Sequence, residues 1–388
     1  MKALFYMRIV HLCEFSSGIC GTWNAVFETA RRQAKKHEVY VLSSNIEKGT
    51  GKTVDAREVK DDVKIVRFPL KFSLSSNYLV WDFKSTLEEL HPDIIHAHVY
   101  RHLYANKAAK IGKQNNIKTV LTTHAPFKRK RGLYLGGLTL LYDLILGKKA
   151  LKRFNKIIAI TNWEKEYLHK LGVEDSKMTY IPNGIPREFF EKSINKENSN
   201  TILFLGRLAP IKRIDTLIMA IKDMDVTLKL VGPSEGDYTK HMKWLAKRLD
   251  IEDKVKFLGP VTDLKKKISI MSNASVFVLC SESEGMPQAL VEAMSLGKLV
   301  VGADNEGIKE VINDDRYLFP IGNHKKLKEK LTTITHFTRK VYPMGYKIYK
   351  LQWTGENDFK IHMSKRNKNI ILYFKYNKRH KLFNVWMK

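Results

Sequence analysis

Glu284 and Glu292 flank Gly285 and Pro287 in the stretch SESEGMPQALVEAMSLGKLVV, residues 281 to 301. Two carboxylates around one turn stand out in a chain whose formal charge is +28. Pro287 suits the first turn of a helix, where its missing N–H costs nothing. Met286, Leu290, Ala293 and Gly297 then follow helical spacing. The free N–H groups of a helix start attract an anion, which places a phosphate against residues 285 to 288. Glu292 falls roughly 7.5 Å along the axis from Pro287 at 1.5 Å per residue, beyond reach of that phosphate. A carboxylate would also repel it, so a diol such as ribose is the fitting partner. Read without a ligand, Glu292 is a solvated helix residue and Glu284 a loop acid that favours the helix dipole.

Cations stand where such a phosphate needs them. In TILFLGRLAPIKRIDTLIMAI an apolar run ends at Gly206, Arg207 follows at its carboxyl end, and Lys212 comes soon after. Arg supplies a planar fork and Lys a point charge, a combination that binds a diphosphate. Without a ligand, they are surface cations. Earlier, Gly18 and Gly21 in SSGICGTWNAVFETARRQA precede a helical pattern, so backbone there can approach a ligand. This is neither a full GxGxxG nor a P-loop. His124 in TTHAPF lies just past a strand end, on the side of the sheet where a cleft would open. His96 and His98 share one face of DIIHAH, where a structural role is the simpler reading. Asp223 and Asp225 precede a strand rather than end one, and read as a turn rather than a metal site.

The elements that must hold these residues alternate. Apolar runs read as strands at Met7 to Leu12, Glu38 to Leu42, Val63 to Phe68, Asp93 to His98, Lys118 to Thr122 and Lys156 to Ile160. A second series covers Thr201 to Leu205, Val226 to Val231, Lys254 to Leu258, Ala274 to Cys280 and Lys298 to Val301. Helical patterns lie between several of them, and Ile214, Leu217, Ile218 and Ile221 mark one such face. Strand–helix–strand repetition favours parallel sheets, with ligands beyond the carboxyl ends of the strands. The expected layout is a first domain over 1–185, a linker at 186–200 containing the polar run NKENSN, a second domain over 201–330, and a basic tail over 331–388. A cleft between the two domains is the expected site.

At 388 residues and 44% hydrophobic composition the chain can build two cores. It has no apolar run long enough to span a membrane. MKALFYMRIVHLC lacks a small-residue cleavage site and reads equally as a first strand. Cys13, Cys20 and Cys280 show no metal-ligand spacing or disulfide framework, which fits a reducing compartment. From His96 to Trp163 the many Lys and Arg face one acid, Asp143. Lys128, Arg129, Lys130 and Arg131 precede the apolar stretch 132–147, and Lys148, Lys149, Lys152 and Arg153 follow it. That pattern suits anionic lipid headgroups; an ordinary core helix with solvated ends is the alternative. The tail carries thirteen Lys and Arg against Glu356 and Asp358, with many aromatics and no clear helical period. It is expected to pack poorly. An out-of-frame reading of an AT-rich gene accounts for such a tail, and a basic extension docking on lipid or on the first domain is the alternative.

Arg207 and Lys212 in GRLAPIK, Glu284 and Glu292 in EGMPQALVE, PNG at 182–184, and the earlier HAH and TTH together resemble the family 4 glycosyltransferases of the GT-B fold. The likeness covers roughly residues 7 to 325. It implies an α/β protein of two Rossmann-like domains with parallel sheets facing a central cleft. It also implies transfer of a sugar from a nucleotide-diphosphate sugar with retention at the anomeric carbon, without a metal or other cofactor. By position, Arg207 and Lys212 would hold the donor diphosphate, Glu292 the ribose hydroxyls and Glu284 the donor sugar. The amides of Gly285, Met286 and Gln288 would meet sugar or phosphates, Gly21 would let the first-domain loop approach, and His124 would sit near the reacting centre. Ile19 departs from the pattern where such loops often carry a second glycine.

The resulting expectation is a glycosyltransferase acting on a lipid-linked, polysaccharide or glycoconjugate acceptor. It would be cytoplasmic and peripheral on the inner face of the cell membrane. The competing reading is a non-catalytic sugar-nucleotide or nucleic-acid binder on the same fold. No RNP, zinc-finger or helix-turn-helix pattern supports a nucleic-acid partner.

Overall fold

The computed structural model describes residues 6–75, 78–126, 133–191, 200–341, 347–353, 358–365, 368–377 and 382–387. The basic run from Lys128 to Arg131 and most of NKENSN therefore lie outside the described residues. The chain divides into two compact units. The first contains Met1–Pro186 with Ser283–Gln288 and Asn305–Val311, and the second contains Arg187–Glu282, Ala289–Asp304 and Ile312–Lys388.

The first unit is built on an eight-stranded sheet. Its order is Met178–Tyr180, Lys156–Ala159, Lys118–Thr122, Ile94–His98, Arg8–Phe15, Glu38–Ser44, Val63–Phe68 and Arg57–Lys60. All neighbours run parallel except the last pair. Parallel strands covered on both faces must be apolar on both, and the first strand obeys this by alternation. Val10 and Leu12 join Ile95, Ala97 and Leu121 in one core layer. Ile9 and Cys13 join Val39, Val41 and Ile65 in the other, under Trp23, Val26 and Ala30 of the helix Gly21–Gln33. Each such fully buried aliphatic side chain contributes about 1.5–3 kcal/mol. His11, His96 and His98 interrupt this pattern with buried polar groups. Sequence order reverses between Arg8–Phe15 and Ile94–His98, where His11 is in register with His96.

The second unit has six parallel strands, ordered Val255–Gly259, Thr227–Val231, Thr201–Leu205, Val276–Leu279, Leu299–Ala303 and Leu318–Phe319. In chain order this is 3-2-1-4-5-6, the doubly wound dinucleotide-fold arrangement, whose switch point lies between strands 1 and 4. Ile214, Leu217, Ile218 and Ile221 are fully buried, as their spacing predicts. The helix His324–Val341 runs straight through the expected boundary at 330. Leu327, Leu331 and Ile334 are buried on it at i, i+4, i+7 spacing, so the helical pattern does not stop at Leu331. Beyond it, Lys347–Trp353, Asp358–Lys365, Lys368–Asn377 and Leu382–Met387 form a separate antiparallel sheet in sequence order. Among the described residues no helix is long and apolar enough to cross a membrane, and the three cysteines are unbridged.

Candidate functional site

In the second unit Arg207 and Lys212 follow strand 1 and Glu292 lies on the helix after strand 4, the two strands that flank its switch point. Arg207 leaves strand 1 (Thr201–Leu205) exposed and paired with Glu235, which follows strand 2. An exposed pair of this kind is worth about 0–1 kcal/mol, so a diphosphate can displace it. Lys212 closes the 3-10 turn Pro210–Lys212 and is half-buried. The next residue, Arg213, takes the left-handed conformation at φ 48° and ties this turn to the chain leaving strand 4. It pairs with Asp215 at 3.0 Å and Glu282 at 3.1 Å, while Glu282 N–H donates to the Ile211 carbonyl at 2.9 Å. These paired carboxylates hold the Arg213 pKa above the ordinary arginine value.

Glu292 is not a solvated helix residue. It is only 4% exposed and pairs with Lys267 Nζ at 2.6 Å. Lys267 Nζ stands 2.6 Å from its Oε1 and 2.6 Å from its Oε2, so the ammonium faces both carboxylate oxygens. A carboxylate offers more acceptor sites than one lysine fills, and as an acceptor it suits a hydroxyl donor far better than a phosphate.

The first unit brings Gly21, His124, Glu284, Gly285, Met286 and Gln288 together. Gly21 opens the helix Gly21–Gln33, and a Cβ there would lie 3.8 Å from Gln288 Oε1. A Cβ on Gly285 would stand 3.0 Å from Ala125 Cβ and 3.4 Å from the His124 carbonyl. Asn183 N–H, in the PNG segment, points to Met286 Sδ at 3.1 Å. Gly307, in the helix Glu306–Ile312, fits only because it lacks a side chain: a Cβ would meet the Gly285 and Glu284 carbonyls at 2.3 and 2.4 Å.

His124 and Ala125 adopt left-handed φ values of 56° and 51° just beyond the strand Lys118–Thr122. Non-glycine residues rarely do so, and such strain persists only where surroundings impose it. Here buried Glu164 imposes it. One carboxylate oxygen accepts from Thr123 Oγ1 and, at 2.7 Å, from Ala125 N–H. The other accepts from Ile160 N–H at 2.8 Å and Thr161 N–H at 3.1 Å. Burial raises the Glu164 pKa above the usual carboxylate value, while these donors act to lower it.

His96 and His98 are neither isolated nor solvated. With His11 they form a buried cluster in which one ring nitrogen from each lies within 4.8 Å of the others. Burial pushes His11 and His124 down to about 4 and holds His96 and His98 well below the ordinary value. All four are neutral imidazoles at neutral pH.

Residues 19–189 match the family model described as Glycosyltransferase Family 4, and residues 186–348 the one described as Glycosyl transferases group 1. The chain is a family 4-like glycosyltransferase of the GT-B fold. It is 26% identical to an uncharacterized glycosyltransferase of Methanocaldococcus jannaschii, over 72% of this chain and 76% of that one. It is 24% identical to a Campylobacter jejuni N,N'-diacetylbacillosaminyl-diphospho-undecaprenol alpha-1,3-N-acetylgalactosaminyltransferase, over 49% of this chain and about half (53%) of that relative's length. Among solved structures, Anabaena HepE in complex with UDP-glucose superposes with a TM-score of 0.66 at 19% identity, covering 87% of this chain and 92% of that one.

Several residues that shape the site in this glycosyltransferase gave no motif signal. Lys267 partners Glu292 from a helix of ordinary basic composition, and Arg213 reads as a neighbour of Lys212. Glu164 is one acid opening the helix Glu164–Lys170. Gly307 sits in a helix, where spacing alone does not reveal an approaching backbone. His11 was legible, as a polar residue on the Ile9–Cys13 face of an otherwise apolar strand.

Proposed function

We propose that this glycosyltransferase transfers a sugar from a nucleotide-diphosphate sugar to a lipid-linked or other glycan acceptor, with retention at the anomeric carbon and without a bound metal. The carrying observation is that Arg207 and Lys212 follow strand 1 while Glu292, a buried carboxylate held by Lys267, lies on the helix after strand 4, the two strands that flank the switch point. The cations neutralise the diphosphate as charge develops on it, and the buried carboxylate takes ribose hydroxyls. Glu284 meets the donor sugar, the amides of Gly285, Met286 and Gln288 meet sugar or phosphate, Gly21 admits the loop, and His124 lies near the reacting centre. The UDP-glucose named for HepE supports this class of donor, and the diphospho-undecaprenol in the Campylobacter relative's name supports a lipid-linked acceptor.

The segment after residue 132 supports a membrane-surface location. Asp143 is anchored inward by Arg101, at 2.6 and 2.9 Å, and by Tyr100 Oη at 2.9 Å. That leaves Leu140, Leu141, Leu144, Ile145 and Leu146 exposed, with Lys148 and Lys149 following. An exposed apolar patch beside cations is the chemistry of an anionic bilayer interface. We therefore place the enzyme on the cytoplasmic face of the membrane.

Purified protein incubated with UDP-, GDP- and ADP-sugars and a prenyl-diphosphate-linked acceptor tests the reading. Expected are transfer that survives EDTA and a product whose anomeric configuration by NMR is the donor's. An inverted product, or activity lost in EDTA and restored by a divalent ion, overturns it; so does failure to bind or hydrolyse any of these donors.

A further inference from the structure

We infer that a chain of hydrogen bonds running from Gln33 through His11 and His98 fixes the tautomer of His124, so that its Nδ1 faces substrate as a hydrogen-bond acceptor for a hydroxyl. The inference rests on the placement of His124 near the reacting centre and specifies what His124 can recognise there.

The links are 2.7 Å from Gln33 Oε1 to His11 Nε2, 2.9 Å from His11 Nδ1 to His98 Nε2, and 3.1 Å from His98 Nδ1 to His124 Nε2. An amide oxygen only accepts, so His11 carries its proton on Nε2. A neutral imidazole then has an unprotonated Nδ1, which takes the Nε2–H of His98. His98 Nδ1 in turn takes the Nε2–H of His124, and His124 is left with an unprotonated Nδ1. The donor–acceptor sense of every link is thus set at one end, by Gln33. All four rings lie on strands and loops at the reversal of sheet order in the first unit, with His96 and His98 stacked at 4.2 Å and His11 tilted against His96 at 4.9 Å. His96 stands beside the chain and bonds Thr122 Oγ1 at 2.8 Å. Burial keeps the imidazoles neutral, which the chain requires. Glu164 accepts from the Thr123 hydroxyl and the Ala125 N–H on either side of His124, while the chain fixes its ring. A ring presenting Nδ1 without a proton selects a hydroxyl and disfavours a phosphate oxygen, which would need a donor.

The same nitrogens could instead meet a metal ion, since three histidines lie within ligating distance of one another. Two of the three rings, however, use both nitrogens in the chain, and a metal would have to break it.

Long-range proton–nitrogen NMR on full-length protein labelled with 15N-histidine reads the tautomers directly. Wild type is expected to show His124 protonated on Nε2 alone. Gln33→Leu removes the acceptor that sets the direction; it should give mixed tautomers at His124 and about a tenfold loss in kcat with donor KM unchanged, in a protein of unaltered circular dichroism. Gln33→Glu, which can only accept, should restore the single tautomer and most of the turnover. His124 protonated on Nδ1 in wild type overturns the chain, as does Zn2+ titration that displaces the histidine resonances stoichiometrically. A correct tautomer combined with full turnover in His124→Ala would instead overturn the placement of His124 at the reacting centre and leave the chain standing.

Discussion

In the role proposed for it, Glu292 would serve binding and folding together. Its pair with Lys267 is largely desolvated, the two side chains being 5% and 17% exposed. Removing one partner of such a pair leaves an uncompensated charge and costs about 3–5 kcal/mol. Losing charge-assisted bonds to a ribose costs roughly 1.5–3 kcal/mol of donor affinity. The two effects separate in a double variant. Glu292→Ala should lower both stability and donor affinity, whereas Glu292→Ala with Lys267→Met should recover stability but not affinity. Paired denaturant titrations and calorimetric donor binding check this, and affinity returning with stability would show that Glu292 acts only through the fold. The histidines carry a prediction of their own. His11 and His124 titrate near 4 in the folded protein and near 6.5 when unfolded. Between those values the unfolded chain binds more protons. Stability is therefore complete above about pH 6.5 and is lost as pH falls toward 4, at up to about 1.4 kcal/mol per pH unit for each histidine. His96 and His98 face the same cluster and act in the same direction. Urea midpoints for the first unit should fall steadily from pH 7 to pH 5; a flat profile would contradict the neutral cluster.

The helix Glu306–Ile312 matters through an atom it lacks. Gly307 carries no Cβ, and the carbonyls of Glu284 and Gly285 occupy the space one would fill. Gly307→Ala should displace that loop by a good fraction of an ångström. Misplacement of this size near reacting groups can cost on the order of a hundredfold in rate, with kcat/KM falling more than stability. Gly137 is the control: it lies in the helix Leu133–Tyr142, and a Cβ there meets nothing within 4 Å. Gly137→Ala should leave kcat/KM unchanged and be neutral or slightly stabilising, since Ala favours a helix over Gly by about 1 kcal/mol. Steady-state kinetics on the two variants decide the matter, and equal rates would remove Gly307 from the argument.

For the protein as a body, the large positive charge and the exposed leucines point to the same environment. Flotation with vesicles should show binding that rises with anionic lipid content and falls with salt, since each cation near the surface contributes about 1 kcal/mol. Replacing Leu144 and Ile145, both about half exposed, with Asn should weaken it without changing turnover on a water-soluble acceptor analogue. Binding indifferent to lipid charge and salt would rule out the membrane-surface reading.

Much of this was legible in the chain. Strand positions followed from short β-branched runs, because a parallel strand buried on both faces must be apolar throughout. Arg207, Lys212, Gly285 and the two glutamates could be singled out because glycines, cations and acids beside strand ends have few purely structural uses. The spacing that gave the helix Gln288–Ser295 could not say that Glu292 is buried, since burial depends on Lys267, which lies far away in the sequence. Leu327, Leu331 and Ile334 carried the long final helix in plain helical spacing, but the basic residues around them obscured it. The histidine chain was beyond reach of any local pattern. Gln33, His11, His98 and His124 come from a helix, two strands and a loop that meet only where the sheet order reverses. Their protonation follows from distances that tertiary packing alone creates.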